Sequence, residues 1–250
     1  MPIMPIGYIL CIDVITAIIG VGIFSIGVRY KHITNKSSIQ KGYFGSIVEG
    51  LKYVKNNRFI KRFLSYYAII TILIAPIGVL TPLMVTRSFG DEAWRLTLNE
   101  IVFFIGSILG GGLISVWGGF KNKIYTLALG CFLCGIFGVI MGIATFANMF
   151  ILYLIIMGLM GVLMPMFNTP AIVILQETVE KDMYGRVFSI VNIIGSGLMP
   201  LSMVLFGPLS DLVDIEIILI ASSILFIIAP LAVIKDKTIK NIPTINDQKA

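Results

Sequence analysis

The residues of this chain that could do chemistry are few, and most of them are buried in apolar surroundings. Asp13 stands eight residues into an apolar run that starts near residue 5. At 1.5 Å per residue that is a depth of about 12 Å. A carboxylate at such depth in hydrocarbon costs several kcal/mol, so it needs a reason. It either couples a proton or cation at a polar cavity, or bonds to Thr16 or another helix and locks packing. Glu100 and Glu216 fall in the first turns of their runs, where a helix N-terminus favours negative charge. Asn99, Asn168 and Asn192 could line a polar pathway, although each lies near a membrane face, where amides are cheap. Asp13, Asn99, Glu100, Asn168 and Asn192 are therefore the candidates for a transport pathway or coupling site.

A second group lies in the segment Gln176 to Ser189, which mixes both charge signs in a short turn. Arg186 is placed to pair with Glu177 or Glu180 as an inner-gate latch, and Gly185 marks a point where the chain can reverse. The competing expectation is a solvated loop with no latch. Cys131 and Cys134 form a CxxC, but inside an apolar run and far from His32 they read as small packing residues. No Ser/His/Asp set, metal cluster or phosphate-binding loop is found, so the chain reads as neither an enzyme nor an ATP-driven pump, with no metal or other cofactor.

The elements that carry these residues are long apolar runs at 5–28, 64–86, 98–117, 124–146, 149–171, 187–209 and 215–234. Each can cross a hydrocarbon core of about 30 Å as a helix. Of 19 Lys and Arg residues, 17 fall in every second gap, nine of them in 29–62. The opposite gaps hold only Arg87 and Arg95, beside Asp91 and Glu92. Basic loops stay cytoplasmic, so the pattern predicts an all-α polytopic protein of seven spans, N-terminus outside and C-terminus inside. A hydrophobic content of 57% excludes a soluble domain of this length. The net charge of +6 is dispersed over loops, where lipid headgroups rather than nucleic acid are the expected partners. The first 28 residues lack a basic start and contain Asp13, so they read as a true span and not a signal peptide.

Four regions follow: a single helix over 1–28, a cytoplasmic linker over 29–62, a six-helix bundle over 63–234 and a tail over 235–250. Within the linker, Phe44, Ile47, Val48, Leu51 and Val54 recur at helical spacing opposite Glu49, Lys52 and Lys55. That predicts an amphipathic helix on the inner membrane surface. The six later spans divide into triplets of opposite topology, the arrangement of secondary transporters. Gly106 and Gly110, and Gly130, Gly138 and Gly142, recur in steps of four or eight residues and predict close helix packing. Pro76 and Pro200 sit inside spans, where each removes a backbone donor.

Four stretches carry a resemblance. Gly7 to Ala17, with Asp13 inside it, resembles the sixth helix of macrolide-efflux exporters of the major facilitator superfamily. Glu49-Gly50-Leu51-Lys52-Tyr53-Val54 with Asn57-Arg58 resembles their central loop. Asn99-Glu100-Ile101 through Gly110-Gly111-Gly112 and on to Gly118-Gly119-Phe120-Lys121-Asn122-Lys123 resembles their eighth helix and the loop after it. Gln176 with Gly185-Arg186-Val187-Phe188-Ser189 resembles the turn between helices ten and eleven. The resemblance runs across residues 5–210.

The resemblance implies export of amphipathic drugs such as macrolides, driven by a proton gradient rather than by a cofactor, through a cavity between two six-helix halves of a bacterial plasma-membrane protein. It also implies that helices one to five of that pattern are not in this sequence. The expected partners are the lipid bilayer, a small amphipathic substrate, and a separately encoded N-terminal half or a second copy. The alternatives are a non-transporting fragment of a disrupted gene and a seven-helix receptor, against which the 34-residue first inner loop counts.

Overall fold

The computed structural model describes residues 6–27 and 43–240. It divides into two units, residues 1–42 and residues 43–250. The first holds α1 (Ile6–Gly27), an apolar helix of 22 residues. The second holds the amphipathic helix α2 (Tyr43–Asn56) and six membrane-length helices. These are α3 (Arg58–Met84), α4 (Ala93–Trp117), α5 (Lys123–Phe146), α6 (Phe150–Thr178), α7 (Tyr184–Leu212) and α8 (Ile215–Lys235). A short helix, α9 (Lys237–Lys240), follows. A π-helical turn, Val85–Phe89, continues α3 beyond Pro82, and a 3-10 turn, Lys181–Met183, precedes α7.

The helix ends differ from the apolar runs, and polar residues explain why. The run predicts a span from Leu64, but α3 already starts at Arg58, because the Asn57 side chain accepts from the Ile60 N–H at 3.1 Å and caps it. α6 continues past residue 171 to Thr178, whose hydroxyl donates to the Ile174 carbonyl. Backbone groups at these depths still need partners, and helical continuation supplies them. Between α4 and α5 the chain reverses at Gly118 (φ 71°) and Gly119 (φ 76°). A Cβ on Gly119 would sit 2.6 Å from the Thr126 Oγ1, so both the backbone conformation and the space require glycine. Asn122 then caps α5 by accepting from the Ile124 N–H at 3.0 Å.

The bundle has an internal two-fold pattern in its contacts. The second helix of the first triplet, α4, packs along the first helix of the second, α6, and α7 correspondingly packs along α3. The third helices pack on the opposite first helices, α5 on α6 and α8 on α3, and then on each other. Burial repeats as well: 44% of an apolar 18-residue stretch is buried in the spans of both α3 and α6, and only 17% in those of both α4 and α7. Two inverted triplets that exchange partners produce this pattern. It leaves α4 and α7 as flanking walls with wide apolar faces outward.

Glycine sets how closely the walls approach. A Cβ on Gly106 would overlap the Gly158 carbonyl oxygen, and one on Gly110 the Val162 carbonyl oxygen, so α4 and α6 meet backbone to backbone. Gly130 abuts Met166 of α6, while Gly138 and Gly142 abut Ser223 and Ile220 of α8. Both α3 and α7 pass through Pro76 and Pro200 without a break in helical assignment.

Candidate functional site

A cavity of about 340 Å³ lies between the two walls, floored by the first helices of each triplet. α3 contributes Thr71, Ala75, Gly78 and Thr81, one face of the helix at three- and four-residue spacing. α6 contributes Met157 and Met164, and α7 contributes Gly195 and Met199. Small residues make the space, and flexible thioethers give it walls that can adapt to more than one shape. α4 contributes Phe103 and Glu100. Among the lining residues Glu100 alone is ionisable, a single carboxylate facing an otherwise largely apolar chamber.

Two further polar groups stand behind that wall. Asn99, next to Glu100, is fully buried, and neither its amide nitrogen nor its oxygen has a hydrogen-bond partner. The expectation of an inexpensive amide near the membrane face is therefore corrected. Helix α4 turns this side chain inward, where an unpaired amide costs about 1–3 kcal/mol. Tyr153 is also fully buried, with its hydroxyl directed toward Thr81 and within electrostatic reach of Glu100. That hydroxyl has no hydrogen-bond partner, and the Thr81 hydroxyl donates to the Ile77 carbonyl.

The other pathway candidates are dispersed. Asn168 and Asn192 are exposed and do not line the cavity, although Asn168 is one turn beyond Met164 and Asn192 one turn before Gly195. Asp13 belongs to α1 in the separate unit, and its side chain lies outside the described residues.

At the lysine-rich end, the gate candidates make contacts that differ from the expected latch. Arg186 pairs with neither Glu177 nor Glu180; its Nη1 lies 3.5 Å from Glu49 Oε1 of α2. The reason is spatial: α2 crosses the start of α7, and Gly50 is buried there against Arg186. Glu177 is engaged elsewhere, accepting from the Lys123 ammonium at 2.8 and 2.9 Å and tying the start of α5 to the end of α6. The Glu180 N–H donates to the Tyr53 hydroxyl at 3.3 Å. Burial, with smaller opposing contributions from Glu180, holds that phenol above its usual range. Gly185 is not a reversal point; it sits in the first turn of α7 with helical backbone, and the chain turns instead over Val179–Met183. The Tyr184 hydroxyl donates to the Gln176 carbonyl and closes that turn.

Several contacts between helix ends had no sequence signal beyond charge. Arg62 donates to both carboxylate oxygens of Asp236 at 2.7 Å, clamping α9 to the start of α3. At the opposite end Arg87 pairs with Asp211 at 2.7 Å rather than with the neighbouring Asp91. Ser88 donates to Glu216 at 2.8 Å, and Arg95 pairs with Glu92 beneath the rings of Trp94 and Phe150. The cavity residues of α3 did leave a signal, a stripe of Thr and small residues at helical spacing.

Comparison with known proteins follows the same outline. The sequence profile of the Major Facilitator Superfamily matches residues 5–203. Macrolide efflux protein A of Streptococcus pyogenes is 25% identical over 209 residues, covering 83% of this chain and 51% of that protein. The protein of the same name from Enterococcus faecalis is 26% identical over 196 residues, covering 78% of this chain and 60% of its own length. The chain thus spans about half the length of the curated relatives it matches. No solved structure matches significantly.

Proposed function

The chain belongs to the Major Facilitator Superfamily, as a multi-pass bacterial membrane protein, and on that basis we propose that its bundle forms one half of a drug-efflux cavity. The observation that carries this reading is a single carboxylate, Glu100, in an apolar chamber flanked by the two least buried of the six long spans. Such a chamber suits an amphipathic cation: apolar walls take the hydrophobic body, and the carboxylate takes the charge. Neutral amphipathic compounds would be held by the walls alone. Protonation of the same carboxylate on proton re-entry would release the cation, which is the simplest exchange one acidic group supports. The name of the relatives, macrolide efflux protein, supports a large amphipathic substrate.

Alternating access in this architecture needs two bodies that rock about a shared midplane site. Here α4 and α7 present apolar faces that suit a second six-helix body. The ion pairs at the lysine-rich end would hold the bundle rigid as it rocks. Transport is therefore an activity of two halves.

The test is drug susceptibility. Expression of these 250 residues by themselves in a sensitive bacterium should leave macrolide and dye sensitivity unchanged, and co-expression of a complementing N-terminal half should raise resistance. Clear resistance from the short chain alone would overturn the two-half reading.

A further inference from the structure

A second depression lies at the lysine-rich end of the bundle, on helices that contribute nothing to the cavity. α5 and α8 are pressed together along their outer part. A Cβ on Gly142 would meet Ile220 at 2.5 Å, and one on Gly135 would meet the Ile227 backbone nitrogen at 2.9 Å. Nearer the lysine-rich end the next glycine, Gly130, faces α6 instead. There α5 and α8 part, and an apolar groove of about 490 Å³ opens between them. Phe120, Tyr125 and Phe132 line one side, and Pro230, Leu231 and Ile234 the other. Phe120 and Leu231 remain 45% and 49% exposed, so the groove opens outward, away from the bundle core.

Its mouth is basic. Lys121 directly follows Phe120, and Lys235 directly follows Ile234, one turn beyond Leu231; both are exposed. Asp236, next to Lys235, and Glu177, the partner of Lys123 two residues beyond Lys121, are already engaged. Asp236 accepts from Arg62 and from the Thr238 N–H, and Glu177 accepts from Lys123. Neither Lys121 nor Lys235 has an ion-pair partner among the described residues. The Arg62–Asp236 clamp also fixes the chain directly after Lys235, so its position at the mouth is set by the fold.

We propose that this groove binds one anionic phospholipid of the cytoplasmic leaflet. Its acyl chain lies between α5 and α8, and its phosphate is held by Lys121 and Lys235. Apolar lining, an opening toward the bilayer and unpaired ammonium groups at headgroup level are complementary to that one ligand class. A free phosphate would leave the apolar lining unmatched, and a zwitterionic lipid would leave the lysines unmatched.

The chain supplies its own reporter. It has two tryptophans, and the Trp117 ring packs edge-on against Phe120 at 5.1 Å. With Trp94→Phe, Trp117 is the sole tryptophan of the full chain, excited selectively over the tyrosines after reconstitution in vesicles of mixed phosphatidylcholine and phosphatidylglycerol. One lipid at a time carries brominated acyl chains, which quench on contact. Brominated phosphatidylglycerol should quench half-maximally at a mole fraction about fivefold lower than brominated phosphatidylcholine. Lys121→Gln with Lys235→Gln should bring the two curves together, while Lys121→Arg with Lys235→Arg should keep them apart. Coincident curves for the native lysines, or a preference that survives the double Gln substitution, would overturn the proposal. So would quenching that falls as the protein-to-lipid ratio rises, which would mean that a second copy covers the groove.

Discussion

Gly106 of α4 rests on the main chain of Gly158 in α6, with no room for a methyl group between them. The same holds for Gly110 against Val162, whereas Gly111 and Gly112 on the next positions of α4 face open space. In lipid, where apolar burial gives helices little reason to associate, such backbone contact is the main source of packing energy. Gly106→Ala or Gly110→Ala should therefore destabilise the bundle by about 1–3 kcal/mol, as overpacking does. Gly111→Ala and Gly112→Ala should be neutral or slightly stabilising, since alanine is the better helix former. Thermal unfolding in detergent would measure this, and equal melting shifts at all four positions would refute it.

The contact of Arg186 with Glu49 predicts a coupling between α2 and α7. Both side chains are partly exposed, 22% and 29%, so the pair contributes at most about 1 kcal/mol. Arg186→Gln should raise hydrogen exchange across α2 by up to about fivefold at otherwise unchanged global stability. A double-mutant cycle with Glu49→Gln isolates the pair from the other contacts of Glu49. Exchange in α2 that ignores Arg186 would mean that the buried contact of Gly50 alone holds that helix.

Asp236 predicts a pH dependence. Partial desolvation by itself would raise this carboxyl, but the Thr238 N–H and the Arg62 guanidinium together hold it below its ordinary value. A lowered carboxylate stabilises the fold at pH values above its unfolded value of about 4, and that contribution is lost as pH falls through the folded value. Intrinsic-rate-corrected exchange protection of α9 should be flat from about pH 7 to about pH 5 and should fall below about pH 4. Asp236→Asn should remove the pH dependence and leave protection low throughout. A flat profile with Asp236 in place would contradict the clamp.

Much of the architecture can be read from the chain, because lipid imposes simple rules. Apolar runs, alternate basic gaps and the four-residue glycine steps of Gly106 and Gly110 each map onto a helix or a helix contact. Glu100 was visible as a carboxylate in an apolar run. What could not be read depends on helix rotation and crossing. Asn99 and Asn192 look equivalent as amides near span ends, yet rotation buries one entirely and exposes the other. Arg186 has three acidic residues, Glu177, Glu180 and Asp182, within ten positions in its own loop, but its partner, Glu49, is 137 residues away because α2 crosses α7. Met157, Met164 and Met199 carry no sequence mark that separates a cavity wall from ordinary core.

The central claim, that Glu100 gives this chamber its preference for amphipathic cations, is tested most directly by equilibrium binding. The reconstituted chain would be titrated with tetraphenylphosphonium and with a neutral tetraphenyl analogue. Glu100→Gln should weaken cation binding about tenfold, equivalent to about 1.4 kcal/mol, and leave binding of the neutral analogue unchanged. Glu100→Asp should retain part of the preference. Unchanged cation binding in Glu100→Gln, with the protein folded, would contradict the claim.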